Sequence, residues 1–104
     1  MANTVAISQV GGVIGGAGSA NATYQPVTLT TGANTITATP SSPSTGDILL
    51  LRLTEPAGGG ATITWSGFTG VTSADHDNTP SAKNRYVFMW DGSAWDLWAM
   101  TLGK

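Results

Sequence analysis

The chain has 104 residues, four Lys and Arg against six Asp and Glu, a formal net charge of -2 and no cysteine. That length fits one domain, and the charge lacks the basic footprint of a nucleic-acid binder or a polybasic membrane anchor. Without cysteine, neither a disulfide framework nor a thiolate metal site can form.

Sixteen threonines, nine serines and 14 glycines, with no apolar run at helical spacing, place the chain in the all-β class. Threonine is β-branched, poor in helices and well suited to the solvated face of a strand. The expected architecture is a small antiparallel β-sandwich, jelly-roll-like, or a partly open barrel with an extended N-terminal arm.

Residues 4–10, TVAISQV, alternate weakly, and the glycine-rich GGVIGGAGSANA follows. Residues 1–22 are therefore expected to form a flexible arm ahead of a sandwich domain at 23–104. The arm's apolar side chains are Val5, Ile7, Val10, Val13 and Ile14. It carries no Lys or Arg, and glycines interrupt its apolar run, which argues against a cleaved signal peptide. No stretch reaches the ~20 apolar residues of a bilayer span.

VTLT (27–30) and TITAT (35–39) alternate cleanly around TGAN, which predicts a hairpin with Val27, Leu29, Ile36 and Ala38 facing in. Prolines in PSSPSTG end it. In DILLLRLTE (47–55), Leu49, Leu51 and Leu53 share one face while Ile48 and Leu50 lie on the other beside Arg52, so both faces need cover. ATITWS (61–66) turns Ile63 and Trp65 inward, and residues 67–83 read as a long polar loop and a contact surface.

RYVFMWDGSAWDLWAM (85–100) predicts a hairpin around Asp91-Gly92. A loop of two or four residues puts Tyr86, Phe88 and Trp90 on one face with Trp95, Leu97 and Ala99. A three-residue loop would place Asp96 on that face unpaired, at a cost of several kcal/mol. The opposite face then carries Val87, Met89, Trp98 and Met100 with Arg85 and Asp96 at its edge, an apolar centre with a polar rim. Together with Ile48 and Leu50, these side chains form the expected subunit interface.

Chemical motifs are weak. His76, in ADHDNT, reads as part of a solvated loop, since no second histidine exists to share a metal. No Gly-x-Ser-x-Gly elbow supports a serine nucleophile. Glycoside hydrolysis needs a pair of carboxylates, and the lone glutamate, Glu55, reads as a surface residue. GGVIGGAGS matches neither a dinucleotide fingerprint nor a phosphate loop. Asn21-Ala22-Thr23 fits the glycosylation pattern only by chance. No catalytic residue, metal ligand or cofactor is expected.

LTTGANTITATPSSPSTGDILLLRLTEPAGGGATITWSGF followed by RYVFMWDGSAWDLWAM resembles a β-rich module of tailed-bacteriophage virion proteins, over residues 27–101. The shared pattern is a Thr/Ala-rich hairpin, a Gly-Asp turn, an apolar strand with a central Arg, a Gly-rich loop, an Ile-Thr-Trp strand and an aromatic hairpin. The resemblance implies a non-enzymatic structural protein, made in the host cytoplasm and carried on the virion. Such modules occur in tail fibres, spikes and head-exterior proteins, commonly as trimers. The chain begins with Met and carries little beyond the module, which turns the expectation toward a homotrimeric capsid decoration (cement) protein. Its partner is then the major capsid protein on the outer head surface, reached by the arm, with no nucleic acid or membrane involved. The alternative is a tail-fibre module that stacks a host glycan on Trp98 and Tyr86.

Overall fold

The computed structural model describes residues 3–7, 12–13, 21–39 and 43–103, and every regular element in them is a β-strand. In chain order these are β1 (Asn3–Ile7), β2 (Gly12–Val13), β3 (Asn21–Thr28), β4 (Gly32–Ala38) and β5 (Ile48–Thr54). They are followed by β6 (Ala61–Ser66), β7 (Phe68–Thr69), β8 (Lys83–Trp90) and β9 (Trp95–Thr101). A three-stranded sheet runs β1-β4-β6 and a six-stranded sheet runs β2-β3-β5-β8-β9-β7. The protein is all-β.

The expected hairpin between 27–30 and 35–39 does not form. The chain leaves β3 for the other sheet, and β4 pairs with β1 and β6. Alternation specifies which face a side chain takes and leaves the partner strand open. Accordingly Leu29 and Ile36 are buried, with Val27 and Ala38 packed against the core, from two different sheets. Of the residues expected to make the hairpin turn, Thr31 lies at the corner between the sheets and Gly32, Ala33 and Asn34 open β4. There Asn34, itself buried, donates to the carbonyls of Thr30 and Gly32 and accepts from the Thr30 amide.

From β3 to β6 successive strands alternate between sheets, so β5 lies parallel to β3 and β6 parallel to β4, as β4 does to β1. Ala22 of β3 lies opposite Ile48 of β5. In the small sheet Asn3 of β1 lies opposite Asn34 of β4, and Gly32 of β4 opposite Ala61 of β6. β7 also runs parallel to β9. The expected antiparallel sandwich is thus corrected to a mixed arrangement, antiparallel at β2–β3 and through β5–β8–β9.

Residues 3–7, assigned to the arm from sequence, belong to the fold. They form an outer strand of the small sheet, Ile7 is fully buried in the core, and Val5 packs against it. Of the other arm residues, Val13 lies in β2, while Val10 and Ile14 fall outside the described residues.

The core lies between the sheets. Leu49, Leu51 and Leu53 point into it from β5, Ile63 from β6, Tyr86 and Phe88 from β8, and Trp95 from β9. Burying each such aliphatic or aromatic side chain contributes about 1.5–3 kcal/mol. The rings meet edge to face, Trp65 with Tyr86 at 5.1 Å and Trp90 with Trp95 at 5.2 Å, a favoured geometry for aromatic quadrupoles.

Trp90 pairs with Trp95 across a four-residue connection, one of the two even loops expected. Asp91 organises it: its carboxylate accepts from the amides of Ser93 and Ala94 at 2.9 Å each. These amides, Ala94 first, hold the carboxyl below its ordinary range. The ladder then shifts register. Phe88 faces Leu97 and Val87 faces Ala99, leaving Trp98 outside the pairing in a bulge. The bulge overturns two expectations. Ala99 moves to the outer face, and Met100 comes opposite Tyr86 on the core side, at a rim where 40% of it stays exposed.

Candidate functional site

The outer face of the six-stranded sheet is the site the fold leaves open. Across β3, β5, β8 and β9 its side chains form rows: Ala22, Ile48, Met89 and Asp96, then Tyr24, Leu50, Val87 and Ala99, then Pro26, Arg52, Arg85 and Thr101. The first two rows are apolar apart from Asp96. Tyr24 is 55% exposed, Leu50 39% and Trp98 65%, while Ile48, Val87 and Met89 are half-buried. Of the interface set read from sequence, the register brings Ile48, Leu50, Val87 and Met89 together. The bulge sets Trp98 beside them and turns Met100 away. Tyr24 was missed, because the strand reading began at residue 27 and β3 begins at Asn21.

The third row is basic. Arg52 and Arg85 face each other across the β5–β8 ladder, a juxtaposition of like charges that disfavours pairing unless something offsets it. Arg52 lays its guanidinium 5.9 Å from the Tyr24 ring centroid, within cation–π range. Its Nε is buried without a hydrogen-bond partner. Tyr24, Leu50, Arg52, Arg85 and Val87 line a groove of about 220 Å³.

Glu55 and His76, read from sequence as surface groups, are both buried. His76 Nε2 stands 2.8 Å from Glu55 Oε2, and its side chain is only 4% exposed. Glu55 Oε1 accepts from the Ala61 amide at 3.0 Å. Asn84 Oδ1 accepts from the amides of Asp77 and Gly103, which turns its Nδ2 toward His76 Nδ1 at 3.2 Å. The network therefore assigns Nδ1 as acceptor and places the ring proton on Nε2, facing the carboxylate.

The same cluster tethers the 67–83 segment. Tyr86 donates its hydroxyl to the Asp75 carbonyl at 2.7 Å, and Trp65 Nε1 donates to the Thr72 carbonyl. Burial first, then the charges of Asp75 and Glu55, push the Tyr86 phenol well above its ordinary range. Asp77 is held below the carboxylate range, first by the Thr79 hydroxyl and then by the Thr79 amide. Sequence spacing could not find this cluster, since Glu55, His76 and Asn84 come from a strand end, a loop and a different strand. Tyr86, one of the two rings assigned to glycan stacking, is likewise buried and unavailable to a sugar.

No family model, curated protein or solved structure matches this chain.

Proposed function

We propose that the chain is a non-enzymatic bacteriophage virion structural protein, a capsid decoration protein that self-assembles through the outer face of its large sheet. The observation that carries the self-assembly is the row Tyr24, Leu50, Val87 and Ala99 with Trp98 beside it, apolar and open to solvent. Contiguous exposed apolar surface flanked by charged groups is the signature of a contact face. The resemblance over residues 27–101 supports the virion setting and a homotrimer on the outer head surface, where it would stabilise the shell. With Ile7 in the core, the shell contact is not made by that side chain.

Light scattering at two concentrations, followed by co-sedimentation with purified phage heads, tests this reading. The expected result is an oligomer that sediments with heads. A monomer at every concentration would remove the assembly, and an oligomer that ignores heads would remove the decoration role.

One observation favours a second reading, a tail-fibre module that binds a host glycan. Tyr24 and Trp98 are exposed rings on one face, three strand spacings or about 14 Å apart. A shift of tryptophan emission on adding host surface polysaccharide, without binding to heads, would select it.

A further inference from the structure

The groove and the bulge lie on the same face and are complementary. We propose that the Tyr24–Arg52–Arg85 groove of one copy is filled by Trp98 of a neighbouring copy, with Asp96 of that neighbour set against the arginines. The inference rests on the self-assembly proposed above and identifies the contact that drives it.

Size is the first argument. The groove holds about 220 Å³, more than the ~150 Å³ cavity that accommodates benzene and less than the ~300 Å³ at which small-molecule sites begin. It suits one bicyclic side chain.

Chemistry is the second. Guanidinium groups beside apolar walls recognise the face of an aromatic ring, and tryptophan gives the strongest such contact. Arg52 already lies against Tyr24 in this way. Two cations opposed in one ladder also make the groove attractive to a carboxylate. Asp96 supplies one from the strand that carries Trp98, two residues earlier.

The third argument is that Trp98 is displayed. The bulge leaves it out of the ladder and 65% exposed, and it does not line its own groove. A tryptophan seated on arginine and tyrosine at the centre of a contact has the composition of an interface hot spot. Because groove and ring share one face, the contact forms either reciprocally about a two-fold axis or head to tail around a closed ring.

The test uses the full chain, whose lack of cysteine permits single-site cross-linking. Copies carrying Trp98→Cys and separately tagged copies carrying Leu50→Cys are mixed well above the half-assembly concentration of Trp98→Ala, so that the weakened contact is still populated, and oxidised. The expected product is a disulfide-linked pair with both tags. In parallel, Trp98→Ala should raise the concentration at half-assembly by about 30-fold. Adding Arg52→Ala to it should cost far less than Arg52→Ala does alone, because both act on one contact. Circular dichroism confirms that each variant folds, and the cross-link decides the matter if an alanine variant does not.

Assembly of Trp98→Ala at the wild-type concentration, or cross-links only between like-tagged Trp98→Cys copies, would overturn the inference while leaving self-assembly standing. A wild-type protein that never assembles would instead overturn the reading on which it rests.

Discussion

Replacing Glu55 tests the physical account of the buried cluster. The side chain accepts from the Ala61 amide through Oε1 and faces His76 Nε2 through Oε2, with both partners enclosed. Glu55→Ala leaves the buried Ala61 amide without an acceptor, at about 1–3 kcal/mol, and removes the carboxylate that stands against His76 Nε2. With the contact to His76 and the side chain's packing lost as well, a loss of about 3 kcal/mol is expected. That is between about a fifth and three-fifths of the ~5–15 kcal/mol that holds a small domain folded. With a urea slope of about 1.5 kcal/mol/M, the midpoint should fall by about 2 M.

Glu55→Gln separates the two contacts. Its amide oxygen can keep the Ala61 bond while its NH2 meets the ring N–H of His76. If the imidazole moves its proton to Nδ1 instead, that N–H meets the NH2 of Asn84. Either way one donor faces another, and a loss of about 1–3 kcal/mol is expected. Equilibrium urea unfolding followed by the fluorescence of the core tryptophans Trp90 and Trp95 measures both variants. A Glu55→Ala midpoint within about 0.3 M of wild type would refute the reasoning, since no buried group could then have lost an acceptor. Equal losses in the two variants would show that the Ala61 bond contributes nothing.

Three further outcomes follow from single sites. Gly67, at φ +87°, would place a Cβ 2.7 Å from that of Ala38, so Gly67→Ala should lower stability by at least ~2 kcal/mol in thermal unfolding. Asp91 and Asp77 have depressed carboxyl pKa values. Their contribution is present above the ordinary carboxylate value of ~3.9 and is lost as pH falls through the lower folded values. Asp91→Ala should therefore melt below wild type at pH 7, with the gap closing as pH falls below the ordinary carboxylate range; a gap of constant size would contradict the turn assignment. The raised Tyr86 phenol works in the opposite direction. Stability is full below the ordinary tyrosine value of ~10 and declines as pH climbs above it. Tyr86→Phe should lose about 1 kcal/mol at pH 7 with the Asp75 bond, yet unfold less steeply in alkali.

Side-chain direction was legible in the strands up to the β9 bulge. Leu49, Leu51, Leu53, Ile63, Tyr86, Phe88 and Trp95 all point where alternation sends them, because a half-buried strand must segregate its faces. Partner choice was not. VTLT and TITAT look like the two arms of a hairpin, and nothing in their alternation distinguishes pairing with each other from pairing with β5 and β6, much later in the chain. The bulge was equally hidden. It depends on one extra residue, Trp98, where Trp95–Thr101 pairs with Arg85–Trp90, so the outward reading of Val87 and Met89 survived while Met100 was turned inward. Polar side chains failed for another reason: Glu55 and His76 were judged by residue type, and each is buried because the fold brings it an acceptor or donor that lies far away in sequence.

The winding and the open face have one cause. A strand in a parallel pair needs a long return path, and here that path is a strand of the opposite sheet, so every circuit adds inward side chains to a shared core. The leucines at 49, 51 and 53 fill that space from β5. Ile48 and Leu50, on the same strand, face the other way, and among the described residues no third layer covers them. Beside them the bulge lifts Trp98 off the ladder, and the extension of β3 back to Asn21 adds Tyr24. Arg52 and Arg85 could have made that surface merely solvated. Their direct opposition instead concentrates positive charge beside two exposed rings, a composition suited to a contact. Since like charges oppose each other in the ladder, Arg52→Thr should stabilise the monomer while weakening the oligomer. Urea unfolding at concentrations below and above half-assembly would show the two effects with opposite sign, and a change of the same sign at both concentrations would mean that the arginines serve only the single chain.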